Sequence, residues 1–306
     1  MLRYALTRIG QAALILLGVA MLTFVLIYLV PVDPAAEMAG RSATPQQIES
    51  VRHEAGLDRP LPVQFGVYLL NLSRGNLGQS YVQRSPVASL LLRRVPATML
   101  LLSAAIVAEL AIGLIAGIVA AVNRGRALDR AVMLFALVGV STPRFVMGIL
   151  MLYLFAVELT WFPIGGYGEF RHLVLPALTI GVLGGGWYSR MMRSSMVEAL
   201  QQDFIRTARA KGAREIRIVM VHALRNAFLP ILAMIGIDMG QFMGGSVVVE
   251  SIYGWPGVGQ LMWQSIQEID IPVIMAITLI AAVAIVLSNL AIDLIAPLVD
   301  PRIKTA

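Results

Sequence analysis

The chain has 306 residues, 58% hydrophobic and only 14% charged, with a formal net charge of +6 and no cysteine. A soluble domain carries about 25% charged residues, so an ordinary soluble globule is all but excluded, and a chain this apolar is not disordered. Without cysteine there is no disulfide framework and no thiolate metal site, and the basic balance points to membrane loops rather than nucleic acid.

A helix needs about 20 apolar residues to cross the hydrocarbon core. Six stretches qualify, at about 9–30, 97–122, 131–157, 173–192, 229–249 and 272–296. Their apolar runs are continuous rather than alternating, and lipid offers backbone polar groups no partner. The expectation is therefore an all-α membrane protein with six transmembrane helices. Arg3 and Arg8 precede the first run. That run is too long for a typical signal core, and Asp33-Pro34 is a poor cleavage site, so a retained helix is expected.

The polar segment 31–95 is expected to be ordered. Thr44-Pro45-Gln46-Gln47 has a capping-box pattern with proline at the first helical position. A helix should run from Pro45 to about Ala55 and stop at Gly56. Asp58-Arg59-Pro60-Leu61-Pro62 then breaks the chain, Pro62 to Leu72 forms a second helix, and Ser85-Pro86 starts a third through Arg93-Arg94. The segment exceeds ordinary connections. It reads as a docking surface for an external partner, against the plainer alternative of a solvated connector.

Within the second span, Gly113 and Gly117 are spaced for close helix approach and read as internal packing. In the third, Arg144 follows Pro143, where a kink is expected. The segment 193–228 is strongly basic. Good helix formers run to Lys211, Gly212 ends that helix, and a second helix resumes from Arg214 to Asn226, forming a compact protrusion. In the fifth span Gly236, Gly240 and Gly244 line one face, read as an interface along a pathway.

An ionisable residue inside a span costs roughly 2.5–3.5 kcal/mol and is a functional candidate by default. Asp238 is the clearest, about 200° around its helix from Gly236 and Gly240. It suits a polar lumen, where it would meet a peptide amino terminus or pair with Arg144; the plainer alternatives are a structural ion pair or a place near the inner interface. Glu109 and Asp293 are weaker candidates. Glu158 and Glu250 are expected in water near the outer mouth.

Placing both termini inside puts Arg124, Arg126, Arg130, the basic segment, Arg302 and Lys304 on the cytoplasmic side, and leaves the short outer loops only Arg171. The reverse orientation would place those cations outside and is rejected.

Asp203-Phe204-Ile205-Arg206-Thr207-Ala208-Arg209-Ala210-Lys211-Gly212 resembles the EAA loop of binding-protein-dependent ABC importer permeases, with Gly212 as its glycine. His222 to Pro230, Gly244 to Glu250, Gly254-Trp255-Pro256-Gly257-Val258-Gly259 and Leu298 to Arg302 resemble the dipeptide and oligopeptide branch. The 31–95 insertion resembles that of the first permease subunit of such systems. Arg206 stands at the motif's acidic position and Thr207 in its second alanine slot, and Leu224-Arg225 replaces its Leu-Pro.

The resemblance implies a type I ABC importer transmembrane domain over 94–298, after an N-terminal helix (1–30) and an extracytoplasmic insertion (31–95), with a cytoplasmic tail at 299–306. It implies four kinds of partner beyond the lipid bilayer: a second homologous permease subunit, two ATPase subunits, an extracytoplasmic substrate-binding protein and a peptide substrate. Asp203, Phe204, Arg206, Thr207, Ala208, Lys211 and Gly212 would couple to an ATPase, while Asp238, Arg144, Gly240 and Gly244 would line the pathway. Related subunits that pass nickel or a glycoside share these motifs. A stand-alone secondary transporter is the reading from another class, but no clear repeat relates the two halves.

The sequence lacks G-x-x-x-x-G-K-[ST], so ATP is expected to be bound by partner subunits, with no cofactor on this chain. His53, His172 and His222 are scattered and form no metal motif. Ser246 fails the G-x-S-x-G pattern, so no catalytic residue is assigned.

Overall fold

The computed structural model describes residues 2–29, 33–40, 42–232, 234–235, 238 and 246–299. The chain is all-helical, and no strand occurs among the described residues. Gly236, Gly240 and Gly244, and with them about half of the fifth expected span, lie outside the described residues, as does the tail beyond residue 299.

Helix α1 (Leu2–Leu29) is followed by three short helices, α2 (Pro34–Ala39), α3 (Pro45–Glu54) and α4 (Leu61–Ser73). The capping box forms: the Gln47 N–H donates to Thr44 Oγ1 at 3.4 Å, and the Thr44 N–H to Gln47 Oε1 at 2.8 Å. Gly56 turns the chain at φ +68° after α3. The insertion is pinned to the rest of the chain. Phe24 of α1 packs on Phe65 and Tyr68 at ring separations of 5.2 and 5.8 Å. Asp270 is buried, accepting from the Ser80 hydroxyl and, at 3.0 Å, from the Tyr81 N–H.

The third helix expected in the insertion and the second span are one element, α5 (Val87–Val122), which runs through Pro96. The third span is broken. Helix α6 (Ala127–Ser141) and helix α7 (Arg144–Leu152), which continues as a π-helical turn over Tyr153–Glu158, meet at 106° around Thr142-Pro143. Pro143 disfavours a helical residue before it, which ends α6 there.

Helix α8 (Phe170–Leu200) is the central element. It lies so close to α5 that a Cβ on Gly113 would strike Tyr188, and one on Gly117 would lie 2.6 Å from Met192 Cβ. The glycines of α8 return the contact: Cβ atoms on Gly181 and Gly185 would come within 2.5 Å of Ala108 Cβ and 2.8 Å of Ile112 Cγ2. Gly186 faces α6, where a Cβ would lie 2.7 Å from the Ala136 carbonyl oxygen. The triple glycine thus allows two helices to cross α8 within one turn.

Beyond α8 come α9 (Asp203–Ala210) and α10 (Glu215–Arg217), then a π-helical turn (Ile218–Ala223) and α11 (Leu224–Ala227). The chain closes with α12 (Val247–Ile252), α13 (Val258–Glu268) and α14 (Ile271–Val299). Among the described residues, stretches in α1, α5 and α14 are long and apolar enough to cross a membrane, and the bent α6–α7 pair makes a fourth if it is one span. Helix α8 is not among them. Its glycines, Thr179, Tyr188 and Ser189 lower its apolarity, a composition suited to a helix whose neighbours screen it from lipid.

Two buried clusters occupy opposite ends of the α5–α8 pair. One gathers Leu101, Leu175, Tyr253 and Trp255, and the other gathers Met192, Met196, Ile205 and Ile218 beneath the basic protrusion. At the first end Glu250 is fully buried, which corrects the expectation that it sits in water. It accepts hydrogen bonds from Thr98 Oγ1, Ser246 Oγ and the Gln260 N–H, each at 2.9 Å. Glu158 is exposed.

Candidate functional site: a basic protrusion and a polar cavity

The protrusion is built around Gly212. Helix α9 ends with the Gly212 N–H on the Arg209 carbonyl at 2.9 Å and the Ala213 N–H on the Ala208 carbonyl at 3.1 Å. This pair of bonds is a Schellman motif, which requires a left-handed residue, and Gly212 supplies it at φ +75°. Across the corner Arg209 Nε donates to Glu215 Oε1 at 2.8 Å. That hydrogen bond holds the exposed Glu215 carboxyl below its ordinary value.

Helical periodicity sorts the candidate coupling residues. Ile205 and Ala208 face the cluster beneath, whereas Asp203, Phe204, Arg206, Thr207, Lys211 and Gly212 are exposed. Ala208 therefore points into the protrusion and offers little outward surface, unlike the other six. The exposed face is amphipathic, with Phe204, Ile216, Met220 and Val221 open to solvent among Arg206, Arg209, Arg214 and Arg217.

At the root of the protrusion, Asp129 in the first turn of α6 receives Arg193 from α8 through two bonds, Nε–Oδ1 at 2.5 Å and Nη2–Oδ2 at 2.7 Å. The Gly125 N–H adds a third at 2.9 Å. Asp129 precedes the apolar run, and its carboxyl is lowered to about 2, chiefly by the hydrogen bonds from Arg193.

The second candidate site is a cavity of about 460 Å³ lined by Glu109 of α5, Thr142, Pro143 and Arg144 at the α6–α7 break, Leu183, Gly184 and Trp187 of α8, and Asp238. Arg144 and Asp238 line the same cavity. The Tyr188 hydroxyl donates to Asp238 Oδ2 at 2.5 Å. Glu109 is buried, and its Oε2 has no hydrogen-bond partner among the described residues. Gly184 makes room for it, since a Cβ there would collide with the Glu109 carboxyl. Gly240 and Gly244 lie outside the described residues.

In the sequence alone Glu109 ranks below Asp238, and nothing there marks Tyr188 or Trp187. The cue for Glu109 was a carboxylate alone in an apolar run. Tyr188 carried no cue, because its role appears only when α8 meets Asp238. No group of histidine, aspartate or glutamate suited to a metal occurs among the described residues.

Residues 113–305 match the family described as binding-protein-dependent transport system inner membrane component, and residues 1–102 match the N-terminal part of such membrane components. The glutathione transport system permease protein GsiC of Escherichia coli K12 is 40% identical over 304 residues, covering 99% of each chain. The protein of the same description from Salmonella typhi is likewise 40% identical over 99% of each chain. Among solved structures, inward-facing conformations of the MetNI methionine ABC transporter superpose with TM-scores of 0.58 and 0.57 at 22% and 23% identity, covering 69% of this chain and 96% of that one. At that identity the likeness speaks for the fold alone.

Proposed function

Because the chain belongs to the family of binding-protein-dependent transport system inner membrane components, it is a membrane permease subunit of an ATP-driven importer, and we propose that its cargo is peptide. The observation that carries this reading is the 40% identity over 99% of both chains to a glutathione permease, since glutathione is peptide-like.

In this reading the chain has six spans in the type I arrangement, with both termini cytoplasmic and residues 31–95 outside. It encloses half of a pathway whose other half is a second permease subunit. It carries no catalytic group, and two ATPase subunits bind and hydrolyse ATP beneath it. A binding protein delivers peptide from outside, and the pinned 31–95 insertion is the surface that receives it.

The exposed Asp203, Phe204, Arg206, Thr207, Lys211 and Gly212 dock into a cleft on one ATPase, with Ala208 and Ile205 anchoring the helix from behind. Closure of the ATPases then pushes α9, and the buried cluster beneath passes the push to α8 as a rigid body. Nucleotide does this by binding one of two packings better than the other. Arg144 and Asp238 line the pathway.

Competition in a reconstituted complex tests the cargo. Di-, tri- and longer peptides should compete for ATP-dependent uptake, whereas nickel salts and glycosides should not. Competition by nickel or a glycoside alone would reassign the substrate.

A further inference from the structure

The geometry points to the Glu109–Arg144–Asp238 cavity as a two-pole site for a zwitterion, taking the free amino terminus of a peptide at Glu109 and its free carboxylate at Arg144. The inference rests on the peptide-permease reading and adds to it the chemical class that the membrane subunit itself recognises.

The negative pole lies deep. Glu109 is 2% exposed, it is one of the residues lining the cavity, and its Oε2 lacks a partner among the described residues. Leaving a buried acceptor unmatched is costly, and an arriving ammonium, with three donors, would satisfy it. Asp238 adds a second carboxylate, oriented by the Tyr188 hydroxyl.

The positive pole lies at the rim. Arg144 is exposed and opens α7, a helix of nine residues whose first turn begins at the cavity wall after Pro143. A helix start carries partial positive charge and N–H groups without intrahelical partners, which together suit a carboxylate. A guanidinium on that first turn adds a full charge and bidentate geometry.

Ile180, Leu183 and Met234 add apolar surface to the lining, which accepts varied side chains. The volume, about 460 Å³, is within the range of sites for small organic ligands. Glu109, Asp238 and Arg144 line one cavity, so a zwitterion can offer an end to each pole.

Trp187 reports on the site. The detergent-solubilised complex of both permeases and both ATPases, without binding protein or nucleotide, is titrated with dialanine, N-acetyl-dialanine and dialanine amide. The Trp187 signal is the fluorescence difference from a Trp187→Phe complex. A saturable response to dialanine is expected, with apparent Kd at least tenfold weaker for each blocked peptide. Glu109→Gln should abolish the discrimination against the acetylated peptide. The ligand series on the unmodified complex needs no variant to fold.

Equal responses to all three ligands, or no Trp187-dependent response, overturn the two-pole site and leave a structural ion cluster. If ATP-driven peptide uptake by the complete system is intact in that case, only this inference fails. If instead the titration discriminates but no peptide is taken up, the import reading fails.

Discussion

Asp129 and Glu250 are both sealed from solvent and both tie distant segments together. Asp129 joins the 125–129 turn to α8 through Arg193, and its carboxyl is held at about 2 against an ordinary 3.8. A depressed folded-state value means the stabilisation is complete above 3.8 and is lost as pH falls through about 2. The Asp129→Asn protein should therefore melt below the parent at neutral pH, by about 2 kcal/mol for the lost charged hydrogen bonds. Melting curves of the two should converge between pH 4 and pH 2, and a gap independent of pH would refute the assignment. For Glu250, replacement by Ala strands the Thr98 and Ser246 hydroxyls and the Gln260 N–H. Each orphaned buried group costs about 1–3 kcal/mol, so the variant should accumulate poorly in membranes, with Glu250→Gln closer to normal. Equal accumulation of Glu250→Ala and parent would show the network to be dispensable. The burial of Glu250 was hard to read in sequence. Its cue was Gly257 and Gly259, neither of which has room for a Cβ beside the carboxylate, and that meaning emerges only when the loop folds back on α12.

Local rules were legible wherever one residue type decides the backbone. Thr44 and Pro45 start α3, Pro143 breaks the third span, and Gly212 closes α9. Packing decided the rest. Helix α5 runs through Pro96, absorbing a helix expected to be separate, and α8 is less apolar than its neighbours because its glycines serve contacts rather than lipid. The polar cavity was half legible, since Asp238 and Arg144 could be named but Tyr188 could not. Gly212 gives the prediction at this scale. No atom lies within 4 Å of a Cβ built there, so a substitution meets backbone strain rather than a clash within this chain. Gly212→Ala should cost about 1 kcal/mol locally and keep some coupling. Gly212→Trp also adds bulk to the docking face. It should reduce co-purification of the ATPases and peptide-stimulated ATP hydrolysis at least tenfold, while the chain still accumulates. Unchanged co-purification and unchanged uptake in Gly212→Trp would remove α9 from the interface.

Across the whole molecule, α8 links the two candidate sites. Its end at Met192 and Met196 rests on the buried face of α9, while Leu183, Gly184 and Trp187 line the polar cavity. Glycine contacts with α5 and α6 leave α8 little freedom to slide alone, so a push at the protrusion should move these helices together. On this account the chain moves nothing by itself; it converts the closing of its ATPase partners into a change of access. The most direct test is uptake of a labelled peptide into proteoliposomes holding the two permease subunits, with and without the ATPase subunits and ATP. The account predicts accumulation only when ATPases and ATP are both present, and background uptake otherwise. Peptide accumulation at the same rate by the permease subunits alone would contradict it.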